Sequence, residues 1–268
     1  AASDVYKRQE MFFDSHIHVG QFYDYYFSPL LISNLMKQVH ADHYAVSSTT
    51  MCEENYPKVI EEIQSLVDLD GKKVFPVMWI TPEGLKGNIA WFLESNIAWK
   101  SLKVHPELHP HDWQPDGGQF AEVVDIAREL RLPVLIHTGE KDCCQCGKCA
   151  SLIAHNKDVN FILAHGRPFY QLLPIIRKYA NAYTDSAFMP VSDMALIIKA
   201  ELSHKLLWGT DMCIPKYFYP QKDMVEYYLY KLATFRQVCT QEQFDAVTYS
   251  NALNLLYTCL LYTSDAAD

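Results

Sequence analysis

The stretch Asp14-Ser15-His16-Ile17-His18-Val19-Gly20 follows the short apolar run Met11-Phe12-Phe13. Read as a strand, it places Asp14, His16 and His18 on one face and Phe13, Ser15 and Ile17 on the other. Two imidazoles side by side at a strand end make half of a metal site suited to Zn, Mn, Fe or Co. A His-x-His pair alone also fits two partly exposed histidines. Further along, apolar runs stop repeatedly on polar residues: Lys103 and His105, His137, His165 with Arg167, Asp185, and Asp211. Burying such groups costs free energy unless they are paired. A shared divalent ion would pair several at once.

Those residues need elements to carry them. Eight strand-like segments run through the chain: Met11–His18, Tyr44–Thr50, Val74–Ile80, Ser101–His105, Val134–His137, Asn160–His165, Ala182–Asp185 and Leu206–Thr210. Most are short and apolar, as parallel strands buried on both faces are. Helical patterns lie between them. One starts at Ser28-Pro29, an N-cap with proline at the first helical position. Others cover Tyr56–Leu69, Phe120–Leu130, Phe169–Tyr179, Asp193–Leu202, Gln221–Leu232 and Gln241–Tyr257. Eight strands alternating with helices predict a single-domain α/β fold, a (β/α)8 TIM barrel, with an open doubly wound sheet as the alternative. No Gly-x-Gly-x-x-Gly follows the first strand, so a dinucleotide site has no support. Barrel active sites lie at the C-terminal strand ends, where these His and Asp residues fall. The barrel is expected over residues 11–257. Residues 1–10 and 258–268 are patternless, resemble adapter-derived read-through, and are expected to be non-native tails, with Met11 a natural start.

The ordered set Asp-Ser-His-Ile-His-Val-Gly, Lys-Val-His-Pro, Ile-His-Thr-Gly, Leu-Ala-His-Gly and Trp-Gly-Thr-Asp, closed by Ser250-Asn-Ala-Leu-Asn-Leu-Leu256, resembles the amidohydrolase superfamily. The likeness is to its branch of amidohydrolase-related hydrolases and decarboxylases, from Met11 to about Leu256. The resemblance implies that His16, His18, His137 and Asp211 hold a divalent metal. It implies that Asp211 also handles the proton of a water, and that His165 orients the water, polarises the substrate, or holds a second metal. Zn is the first expectation, with Mn, Fe and Co open, and one ion is favoured over two. A bound Zn lowers a water's pKa from about 15.7 to about 7, which suits hydrolysis of an amide, lactone or ester. Nonoxidative decarboxylation of an aromatic or unsaturated acid is the alternative.

Lys103 and His105 sit two apart, so both can face inward. Lys103 is expected to bind a carboxylate; if carboxylated, as in some relatives of the resembled family, it would bridge two ions. His105 is the histidine of His105-Pro-Glu-Leu-His109-Pro-His111 expected to reach the site, the rest forming an extended loop. Arg167 suits a substrate anion or a loop salt bridge. The departure from the resembled pattern is Cys143-Cys144-Gln-Cys146-Gly-Lys-Cys149. It reads as simple loop cysteines, a redox-sensitive rim, or a soft-metal clip that Cys213 might join. A non-catalytic metal- or redox-binding barrel built on this loop is the reading from another class. The aromatic runs 21–27 and 217–219 would wall a ring-bearing substrate or pack locally.

The chain has 268 residues, 49% apolar and 13% aromatic, enough for a large core. Its net charge of −9 gives no basic footprint for nucleic acid. No apolar run spans a bilayer and no signal peptide is evident. The chain is expected to be cytoplasmic, with its 8 cysteines unpaired, to act on a small molecule, and to be compatible with a homo-oligomer.

Overall fold

The computed structural model describes residues 10–115 and 120–257. Of the expected tails at 1–10 and 258–268, all but Glu10 lie outside the described residues. Nine strands follow one another: β1 (Phe13–Phe22), β2 (Tyr25–Phe27), β3 (His43–Ser48), β4 (Val74–Trp79), β5 (Ser101–Val104), β6 (Val134–His137), β7 (Phe161–Ala164), β8 (Ala182–Asp185) and β9 (Leu206–Leu207). Except for β2, which pairs antiparallel with the end of β1, neighbours pair in parallel in the order β1-β3-β4-β5-β6-β7-β8-β9. The circle closes through Ser15 N–H to Trp208 O at 2.8 Å, Asp211 N–H to His16 O at 2.8 Å, and a parallel bridge between Ile17 and Met212. This is the (β/α)8 barrel, with all eight expected strands in place and β2 an added hairpin.

Helices cover the outside. Pro29–Gln38 is capped by the Ser28 hydroxyl, which accepts from Leu31 N–H. Tyr56–Asp70 is capped by Asn55 and ends at Gly71. Phe120–Leu130, Phe169–Lys178, Val191–Lys199 and Met224–Arg236 follow. The expected helix 241–257 is instead three turns of different pitch: Gln241–Asp245, a π-turn at Ala246–Ser250, and Asn251–Tyr257. Its last turn brings Ala252, Leu255 and Leu256 against Phe13, Ala45, Phe75, Leu135, Ile162 and Leu207, one inward layer of the barrel. Ile17, Val46, Leu102, Ile136 and Leu163 belong to the second cluster, between sheet and helices.

Phe13 and Ile17 therefore lie in different clusters, which corrects the expected face alternation. β1 carries a register shift against β3 between Asp14 and Ile17. An inserted residue reverses the facing of everything before it. Phe13 fills the barrel interior. Asp14 turns toward Thr210, accepting from its hydroxyl at 2.6 Å and its N–H at 3.1 Å, and does not share a face with His16 and His18. Burial raises its carboxyl to about 7 despite those bonds. Among the described residues, no helix is long and apolar enough to cross a membrane.

Candidate metal centre

His16 and His18 project from β1 into the barrel mouth, and Asp211 meets them from the loop after β9. Asp211 Oδ1 lies 2.8 Å from His18 Nε2 and 3.6 Å from His16 Nε2. These three ligand atoms sit within 4.8 Å of one another. The other ring nitrogens are already engaged. His16 Nδ1 faces Asp185 Oδ2 at 2.9 Å, and His18 Nδ1 faces the Ser47 hydroxyl at 3.1 Å. Such partners hold the ring and leave Nε2 as the ligand atom. Gly209 lets the strand end close in, since a Cβ there would meet His16 Cβ at 3.1 Å and Asp185 Cβ at 3.2 Å.

The arrangement fits a cation. Asp211 Oδ1 is buried and makes no hydrogen bond of acceptable geometry. Lys103 Nζ stands 3.1 Å from both His16 Nε2 and His18 Nε2, so the lone pairs already face a positive charge. Burial, then the Lys103 ammonium, brings His18 down to about 4, which keeps its imidazole neutral. Burial works against the charge of Asp211, yet His16 and His18 hold its carboxyl well below the usual range. Asp185 is held at about 2 against burial, chiefly by His16. Two imidazoles and an ionised carboxylate are a donor set for Zn, Mn, Fe or Co.

His165 and Asp211 share a backbone feature, left-handed φ of 69° and 59°. Non-glycine residues held there commonly sit at functional sites. The His165 N–H is fixed by Asp185 Oδ1 at 3.0 Å, and its Nδ1 lies 3.1 Å from Ala187 O. His137 Nδ1 lies 3.1 Å from His165 Nε2, while His137 Nε2 turns to Glu107 Oε2 at 3.2 Å. His137 thus shares the cavity with His18 and Asp211, but the candidate metal cluster it belongs to is the one with Glu107 and Cys144.

The remaining expected residues line the same cavity of about 710 Å³. His105 is stacked between Trp79 and His137, with ring centroids 5.6 Å and 3.7 Å away. Its Nδ1 is buried without a partner. Lys103 Nζ also lies 4.6 Å from the Trp79 ring centre. The Arg167 guanidinium lies over Phe188 at 5.9 Å. His109 and His111 do not line the cavity. The two aromatic runs meet: Tyr217 stacks on Tyr23 at 5.1 Å and meets Phe22 edge-on at 5.3 Å, forming one wall.

The four loop cysteines do not gather. Cys144, Cys146 and Cys149 are buried and Cys143 is half-buried. Among the described residues, no candidate metal cluster holds more than one thiol, and Cys213 joins none. Burial pushes Cys144, Cys146 and Cys213 up to about 12, so all three are thiols. Sequence reasoning missed Glu107, Trp79 and the role of Asp185. The only trace of Glu107 was an acid two residues beyond His105. Asp185 ended a strand, but nothing in its neighbours announced His16 as its partner.

The amidohydrolase family profile matches residues 79–257. No curated protein matches the chain. Among solved structures, an uncharacterized TIM-barrel protein from Bordetella bronchiseptica is similar at TM-score 0.71 and 14% identity, over 93% of this chain and 99% of its own. A probable 2-pyrone-4,6-dicarboxylic acid hydrolase from Acinetobacter baumannii, with citric acid bound, is similar at TM-score 0.66 and 12% identity, over 92% and 99%. A 5-carboxyvanillate decarboxylase from Novosphingobium aromaticivorans, complexed with manganese and a nitrobenzoic acid, is similar at TM-score 0.67 and 8% identity, over 94% and 97%. These likenesses show the shared barrel. With the profile spanning more than half of its length, the chain belongs to the amidohydrolase family.

Proposed function

We propose that the chain is a metal-dependent hydrolase that opens an amide, lactone or ester bond in a small molecule. The observation that carries the reading is Asp211 Oδ1, buried without a hydrogen bond and close to both His16 and His18. His16, His18 and Asp211 would hold one divalent ion. When bound, such an ion supplies Lewis-acid polarisation of a carbonyl and hydroxide at neutral pH. Asp211 takes the proton of the attacking water and returns it to the leaving group. His165, anchored through Nδ1 at Ala187 O and meeting His137 Nδ1 through Nε2, lines the cavity as the residue that would orient the water or polarise the substrate. Lys103, Arg167 and His105 face the cavity, the first two as cations for a substrate carboxylate or a developing oxyanion.

The second reading is a nonoxidative decarboxylase. The aromatic wall of Phe22, Tyr23 and Tyr217, set in the same cavity as Arg167, favours a ring-bearing acid. The manganese-bound decarboxylase with this fold supports the same choice. Assays on a panel of lactones, amides and aromatic acids in oxygen-18 water, read by oxygen label in the organic product, separate the two. Label in the product without carbon dioxide supports hydrolysis; carbon dioxide without label excludes it. Under both readings Asp211→Asn lowers turnover by roughly 100-fold or more. Full activity of that variant would sink both, whereas no turnover of any panel substrate by metal-loaded wild type would favour a non-catalytic barrel.

A further inference from the structure

Three polar contacts run in line through the mouth. Ala187 O is 3.1 Å from His165 Nδ1, His165 Nε2 is 3.1 Å from His137 Nδ1, and His137 Nε2 is 3.2 Å from Glu107 Oε2. Both ends of this line only accept, one a carbonyl and the other a carboxylate. Between them stand two imidazoles, each with one N–H when neutral. Three contacts need three protons, and two neutral rings supply two. Whatever tautomers are chosen, one contact sets two lone pairs face to face. A third proton, or a cation in its place, would resolve that contact.

A separate observation points to what fills the gap. Cys144 Sγ lies 3.8 Å from Glu107 Oε2, and Glu107, His137 and Cys144 present ligand atoms within 4.8 Å of one another. Gly139 leaves the space between them open. A Cβ at Gly139 would lie 2.9 Å from Cys144 Sγ, 3.3 Å from Glu107 Oε2 and 3.7 Å from His137 Nε2. The three atoms nearest that point are the three donors. The turn is closed by Gly139 N–H donating to Cys144 O at 2.9 Å, which folds the thiol back over the strand end. Lys141 Nζ occupies the other Glu107 oxygen at 2.8 Å, leaving Oε2 for the site.

We propose that Glu107, His137 and Cys144 form a second divalent-cation site at the cavity rim, distinct from the set of His16, His18 and Asp211. A carboxylate, an imidazole and a thiolate together suit a borderline-soft ion such as zinc or cobalt over magnesium or calcium. The ion supplies the missing charge, and both histidines then direct their N–H groups toward Ala187. The thiol proton of Cys144 leaves to solvent, since a coordinating thiol is deprotonated. His137 becomes a ligand of the rim ion. The inference does not depend on which bond the inner site cleaves.

Cobalt(II) titration of metal-free protein tests it, read by bound equivalents and by the thiolate-to-cobalt charge-transfer band. Wild type is expected to bind two equivalents and show the band. Cys144→Ala and Gly139→Ala should each lose the band and one equivalent. The second keeps every donor and only plugs the space with a methyl. Asp211→Asn should lose the other equivalent and keep the band. Circular dichroism confirms that each variant is folded; should Gly139→Ala fail to fold, Cys144→Ala decides. Absence of the band in saturated wild type, its persistence in Cys144→Ala, or its loss in folded Asp211→Asn would each overturn the second site.

Discussion

Asp185 Oδ2 sits 2.9 Å from His16 Nδ1, with both side chains buried. The other carboxylate oxygen accepts the N–H groups of His165 at 3.0 Å and Ala187 at 2.9 Å. One residue at the end of β8 thereby sets the tautomer of a β1 histidine and the backbone of the β7 histidine. Asp185→Asn keeps an oxygen for the two N–H groups but turns an amide toward His16. Its N–H donates to Nδ1 and moves the ring proton to Nε2, where it blocks ligation. Metal affinity is expected to fall roughly 10–100-fold, measured by competition with a chelator of known affinity. Unchanged affinity would mean that His16 does not ligate through Nε2.

Lys103 competes with the metal. Burial brings its ammonium down to about 8, with Asp211 and Asp185 pulling the other way. Below that pH a cation stands 3.1 Å from both Nε2 atoms, and above it the amine is neutral. Apparent metal affinity should therefore climb as pH rises toward about 8 and level off beyond it. His18, at about 4, is already neutral through that window. Lys103→Met should flatten the climb in zinc titrations across pH 6 to 9. A climb that persists unchanged would remove Lys103 from the centre.

Asp14 gives a stability signature of opposite sign from most carboxylates. Burial raises it from 3.8 to about 7, so the folded chain holds this proton over a range where the unfolded chain has lost it. Its contribution is fully present below about pH 4 and disappears as pH rises through about 7. The slope is at most about 1.4 kcal/mol per pH unit. Denaturant unfolding of wild type and Asp14→Asn between pH 4 and 8 should show the wild-type advantage shrinking with rising pH. A constant difference would place the ionisation of Asp14 elsewhere.

Much of this architecture was legible in the chain because a parallel barrel writes itself as short apolar runs. Val134–His137 and Ala182–Asp185 coincide with β6 and β8 to the residue. The placement of His16, His18 and Asp211 at one rim follows from that alternation, since strand ends converge. The register shift in β1 was hidden, because an inserted residue changes which face Phe13 and Asp14 occupy without changing composition. The partnership of His137 with Glu107 and Cys144 was hidden for another reason. It is made by loops after β5 and β6, whose course is set by contacts such as Gly139 to Cys144 rather than by periodicity. The π-turn at Ala246–Ser250 carries Val247 O to Trp208 N–H at 2.9 Å, a tertiary contact that overrides an otherwise regular helical pattern.

The central claim is that His16, His18 and Asp211 jointly hold a divalent ion. Anomalous X-ray diffraction from zinc-loaded crystals measures this directly. The account predicts a peak at about 2.0–2.2 Å from His16 Nε2, His18 Nε2 and an Asp211 oxygen. An empty map at that point in crystals saturated with zinc, with Lys103 still seated between the two imidazoles, would contradict it.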